Sequence, residues 1–210
     1  MRHAILLGAC AVVLSGSGLA FADASTSAER QDAIVSPAGI VGDLQIDRST
    51  EASIRTFAGT PAFSGEGSFE TASAGYPKRY RVLAFDCTGQ HDNGLDPGAY
   101  RPTHLYCRSV YYLNPSTHRL AAFWTNSPRF RTAAGTRPGT RQAVADRLEH
   151  QHAMVGALAG ITLRTAAATL VLDNDGCSPH AGSEPRRCIG GTVTDFALES
   201  RRHGVGLLFV

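Results

Sequence analysis

The alternation of apolar and polar positions divides the chain into short runs of two periods. In residues 50–58, Ile54, Phe57 and Ala58 fall on one helical face, Thr50 or Ser49 can cap the first free amides, and Glu51 suits the positive end. Gly59 and then Pro61 end the run. Residues 140–148 repeat the arrangement, with Thr140 as cap and Val144 and Leu148 on the apolar side. Period-two alternation in β-rich runs predicts strands over 79–86, 108–113, 119–125, 161–164, 169–173, 192–199 and 205–210. Asn114-Pro115-Ser116-Thr117 reads as a turn and makes 108–125 a hairpin. The expected fold class is α+β with antiparallel sheet.

The pattern also recurs along the chain. An offset of ninety residues carries Thr50 onto Thr140, Ile54 onto Val144, Cys87 onto Cys177 and the strand-like 80–84 onto 170–174. Residues 119–127 resemble 192–200 at the shorter offset of 73. Helix, strand, cysteine and strand in one order predict two imperfect tandem repeats, each a short helix packed on an antiparallel sheet. The first spans 41–134 and the second 135–210, joined through the turn-rich 135–139.

The N-terminus changes the compartment. Arg2 and His3, the apolar run 4–14, and small residues leading to Ala20-Phe21-Ala22 have the order of a secretory signal cleaved before Asp23. Glycines and serines interrupt the apolar run short of the roughly 20 residues that span a bilayer. Leu7-Gly8-Ala9-Cys10 has the outline of a lipoprotein box, but too few residues precede Cys10 for a charged region and an apolar core. Cleavage removes the first 22 of 210 residues and leaves a loose leader over 23–40, no later membrane span, and an extracytoplasmic location.

Four cysteines then remain, Cys87, Cys107, Cys177 and Cys188, an even set that favours disulfides in an exported chain. Of the three pairings, the duplication favours one bridge per half, Cys87 with Cys107 and Cys177 with Cys188. Each would close a turn-rich loop and contribute roughly 3 kcal/mol by the chain-entropy argument.

Helix followed by antiparallel strands, duplicated in an exported chain with a bridge in each half, resembles the β-lactamase inhibitor protein family and the related small lipoprotein fold of the outer-membrane assembly machinery. Thr50 with Ile54, and Thr140 with Val144, keep the family's hydroxyl-to-aliphatic spacing. Arg48-Ser49 and Pro138-Gly139 stand where the repeats usually carry Gly-Met. The resemblance implies an architecture over 41–210 and does not extend to inhibition of a β-lactamase.

Composition narrows the chemistry. A formal charge of +2, reduced by the loss of Arg2, argues against a nucleic-acid groove. Lys78 is the only lysine, which leaves Schiff-base and Ser-Lys mechanisms almost without candidates. No nucleophile elbow, zinc-helix, phosphate-loop or dinucleotide motif occurs in the mature chain. His150-Gln151-His152 reads as a solvated helix end, and both Asp173-Asn174-Asp175-Gly176 and the acidic 92–96 read as turns rather than calcium loops, so neither metal nor cofactor is expected. Tyr111 and Tyr112 are adjacent on a predicted strand, as are Phe123 and Trp124 on the next. One of each pair should fill the core while the other lies on an open face. An exposed Tyr/Trp pair with Arg108 or Arg119 has the composition of an interface hot spot. The expected function is therefore non-catalytic recognition of an extracytoplasmic protein or cell-envelope partner, through a sheet face and disulfide-held loops. A small secreted hydrolase drawing on His91, His104 and Asp86 is the alternative.

Overall fold

The structure is a computed structural model describing residues 32–69, 78–90, 105–154, 160–176 and 190–204, and the statements below concern those residues. The expected signal segment, Cys177, Cys188, His91, His104, the acidic 92–96 and the strand expected over 205–210 lie outside them. Among the described residues no helix is long and apolar enough to cross a membrane.

Elements run in the order β1 (Ala33–Ser36), β2 (Ile40–Val41), β3 (Leu44–Gln45), α1 (Glu51–Ala58), β4 (Phe63–Phe69), β5 (Lys78–Gln90), β6 (Leu105–Leu113), β7 (Leu120–Thr125), β8 (Phe130–Arg131), α2 (Gln142–Glu149), β9 (Gly160–Arg164), β10 (Ala168–Asp175) and β11 (Thr192–Ser200). A seven-stranded antiparallel sheet has the order β4-β5-β6-β7-β11-β10-β9, and a small sheet has the order β3-β2-β1-β8. The fold is α+β.

Period two along the large sheet separates two cores. Leu83, Phe85, Tyr111, Leu113, Phe123, Leu172 and Phe196 face the helices and the small sheet, whose Ile54, Ala145, Val35 and Phe130 join the same cluster. Its centre is an aromatic chain: Phe85 meets Tyr111 edge-on at 5.4 Å, Tyr111 meets Phe123 at 4.7 Å, and Phe123 meets Phe130 at 5.0 Å. Tyr80, Val82, Val110, Tyr112, Trp124, Val171 and Ala197 form the second cluster on the other face. Every strand position of β7 is buried, so this central strand has no wet side.

Four sequence expectations change. The supposed loose leader includes β1 and the start of β2, and Val35 is fully buried in the main core, because β1 pairs with both β2 and β8. The 135–139 segment is pinned, with Thr136 buried and the Gly139 amide donating to the Val193 carbonyl at 2.7 Å. Helix α1 is capped by Thr50 as expected, with Ser53 completing a capping box. Helix α2 begins after Arg141 without a side-chain cap, since the Thr140 hydroxyl accepts instead from the Arg137 amide at 2.9 Å. The inward face of α2 is also rotated: Gln142 and Ala145 are buried, whereas Leu148 is exposed.

Polar bonding explains that rotation. Gln142 accepts from the Asn174 amide, donates to Asp146 at 2.6 Å, and its backbone amide reaches the Gly191 carbonyl at 3.1 Å. Gly191 has φ +80°, and a Cβ there would lie 2.0 Å from the Asp175 carbonyl, so only glycine allows β10 and the start of β11 to approach this closely.

Candidate functional site

The predicted partner residues separate into three places. Tyr111 is completely buried in the main core, where burial pushes its hydroxyl well above the ordinary tyrosine range. Tyr112 and Trp124 do share the opposite face, but they are 0% and 7% exposed, which corrects the expected open aromatic surface. Arg108 and Arg119 are both exposed and stand at opposite ends of the β6–β7 hairpin. The five residues do not share one exposed surface.

Beneath this second face lies a polar arrangement that the sequence pattern concealed. The register places Asp173 of β10 directly opposite Asp195 of β11. Trp124 Nε1 donates to Asp195 Oδ1 at 3.0 Å, the Thr194 hydroxyl donates to Oδ2 at 3.0 Å, and the Asn174 backbone N–H donates to Asp173 Oδ1 at 2.8 Å. Among the described residues neither carboxylate has a cationic partner. Burial, and then the neighbouring Asp173 charge, push the Asp195 carboxyl up to about 6. Asp173 is raised as well, chiefly by burial. Like charges facing each other across strands cost stability, and here Trp124 anchors one of them.

Two further features frame the pair. Cys87 and Cys107 are direct partners across β5 and β6 and form a disulfide, as the per-half pairing expects; both pack against the cluster containing Trp124. Glu199, 3% exposed, belongs to the cross-sheet row Val82, Tyr112, Ala122, Glu199. Burial and then Glu199 raise the Tyr80 hydroxyl to about 12. Every described residue of this cluster comes from the large sheet; no helix or small-sheet residue contributes.

A serine, an aspartate and a histidine also meet, at the far end of β11. Asp47 accepts the Ser200 hydroxyl at 2.8 Å and lies 3.0 Å from His203 Nδ1. The order is wrong for nucleophilic catalysis, because the carboxylate sits between hydroxyl and imidazole. Ser200 Oγ is 3% exposed as a residue and already accepts the Arg202 and His203 amides at 3.1 and 2.9 Å, so the trio ties down a turn. Asp86, the described member of the enzyme alternative, has φ 53° and lies 3.8 Å from Arg129. His152 at the α2 end bonds Asp146 at 3.1 Å, and no group of three metal-ligating side chains occurs among the described residues.

No family model, curated protein or solved structure matches this chain. The missed residues, Asp173 and Asp195, carried only a faint signal: each interrupts an apolar run with a charge on the face shared with Val171 and Ala197.

Proposed function

We propose that the chain is an exported, non-catalytic binding protein. In this reading it recognises a protein or cell-envelope partner through the rim of the second sheet face, beside the Cys87–Cys107 bridge. The observation that carries the reading is the Asp173–Asp195 pair: two facing carboxylates, one fixed by Trp124 and neither with a cationic partner among the described residues, are costly to keep unless something else uses them. A basic group on a partner would relieve that repulsion. Export is supported by the signal-like N-terminus and by a disulfide, which persists in oxidising compartments.

Duplication is part of the same reading. Support comes from two successions in chain order, α1-β4-β5-β6 and α2-β9-β10-β11, and from the ninety-residue offset between β5 and β10. β11 takes the place of β6 in that order, while β7 is its hydrogen-bonded neighbour, so the likeness of 119–127 to 192–200 drops out of the alignment. The second bridge, Cys177 with Cys188, and the likeness to the β-lactamase inhibitor protein architecture belong to this proposal.

The test is affinity capture on the immobilised chain lacking residues 1–22, from the envelope and medium of the producing organism. The expected result is a partner retained by the wild type and by Arg164→Gln, and lost by the Asp173→Asn/Asp195→Asn double variant. An identical captured set on all three proteins would sink the rim assignment.

A further inference from the structure

On the helical side of the large sheet, a cleft of about 280 Å³ opens between the first turn of α1, β5 and the β6–β7 turn. Glu51, Arg81, Leu113, Thr117, His118 and Arg119 line it. Its charges do not balance. Glu51 accepts from Arg55 Nη2 at 2.7 Å and from Arg81 Nε at 3.1 Å, and these bonds, Arg81 first and Arg55 next, hold its carboxyl below the usual range. One carboxylate therefore answers two guanidinium groups. Arg119, across the cleft, bonds only the Arg48 carbonyl, at 2.9 Å, and has no carboxylate partner among the described residues. The wall carries net positive charge before His118 is counted.

Geometry narrows the ligand. Arg81 Nη1, the remaining Arg119 nitrogens and the His118 ring have no hydrogen-bond partner among the described residues. They come from two places in the fold, Arg81 from β5 and the consecutive His118 and Arg119 from the β6–β7 turn. A planar carboxylate is met best by a single coplanar fork, whereas a tetrahedral oxyanion can accept from several directions at once. The turn is held in place: Asn114 Oδ1 accepts the Ser116 and Thr117 amides at 2.9 and 3.0 Å, and the His118 amide donates to the Asn114 carbonyl at 2.8 Å.

We propose that this cleft is an oxyanion site for a phosphate monoester group, with Arg119, Arg81 and His118 as its donors. It lies on the opposite face of the large sheet from the partner rim and does not depend on it.

The experiment is titration of the chain lacking residues 1–22 with inorganic phosphate, followed by isothermal calorimetry, beside Arg119→Gln, His118→Asn and Arg164→Gln. Asparagine suits the left-handed φ of 53° at position 118, so that variant leaves the turn intact. The expected result is one saturable site, weakened at least tenfold by Arg119→Gln and about threefold by His118→Asn, and unchanged in Arg164→Gln. Sedimentation with phosphatidylcholine vesicles, with and without phosphatidic acid, separates the sources. Binding that requires phosphatidic acid assigns the site to a lipid headgroup, and binding to inorganic phosphate alone assigns it to a soluble phosphate. The proposal is overturned if acetate binds as tightly as phosphate, if the wild type shows no saturation, or if His118→Asn and a correctly folded Arg119→Gln both bind like wild type.

Discussion

At the scale of single residues, the protein keeps charged groups where its alternating pattern would place apolar ones. Asp195 is the clearest case, because its proton belongs to the folded state over a range in which an unfolded chain has released it. With a folded value of about 6 against the ordinary 3.8, its contribution to stability is fully present below about pH 4 and is lost as pH rises toward 6. The loss is on the order of 2 kcal/mol, reduced by partial solvent access. Urea unfolding at pH 4 and pH 7 should therefore show a fall in wild-type stability that is smaller by that amount in Asp195→Asn, where the amide oxygen can still accept from Trp124. Equal falls in both proteins would rule out this origin. Asp173-Asn174-Asp175-Gly176 reads locally as a turn, and Gly176 does turn the chain. That Asp173 also faces Asp195 depends on pairing with a strand some twenty residues away, which local chemistry does not reveal.

At the scale of elements, the two helices show how far local signals reach. α1 has its cap, its acidic first residue, its apolar face and its glycine stop all within one short run, and each acts as its residue type suggests. Thr50→Ala should accordingly cost about 1 kcal/mol in urea unfolding. α2 has a similar-looking sequence but uses it differently. Its anchor is Gln142, whose partners Asn174 and Gly191 lie on β10 and ahead of β11. Gln142→Ala should cost about 2 kcal/mol, because the buried Asn174 and the half-buried Asp146 lose a partner, and should exceed the cost of Thr140→Ala. The reverse order would return the cap to Thr140. Strands β5, β6, β7, β9, β10 and β11 were legible because their apolar runs are long and bounded by turn residues. β1, β2, β3 and β8 have only two to four residues each, and β4 carries Gly65 and Gly67, so none shows a readable period.

At the scale of the molecule, one continuous sheet joins what reads as two halves, and the bridge among the described residues lies within the first. Cys87 and Cys107 enclose a segment with a sequence separation of 20. Replacing both with alanine should lower unfolding free energy by about 3 kcal/mol without reductant, with the same loss in wild type on adding reductant. Peptide mapping under non-reducing conditions should find Cys87 joined to Cys107 and, on the proposed duplication, Cys177 joined to Cys188. β7 pairs with β11 across the middle, so the expected boundary at 135–139 is a packed connection within one core. The sequence alone determined the α+β class, the capped first helix and the central hairpin, because each rests on residues adjacent in the chain, and it left the pairing of Cys87 with Cys107 as one of three. Only the tertiary structure decided which apolar face meets which core, that Tyr112 and Trp124 are buried, that Asp173 faces Asp195 and that Arg119 and Arg81 line one cleft. Those outcomes depend on strand register and on burial of both sheet faces, which arise from contacts between residues far apart in the chain.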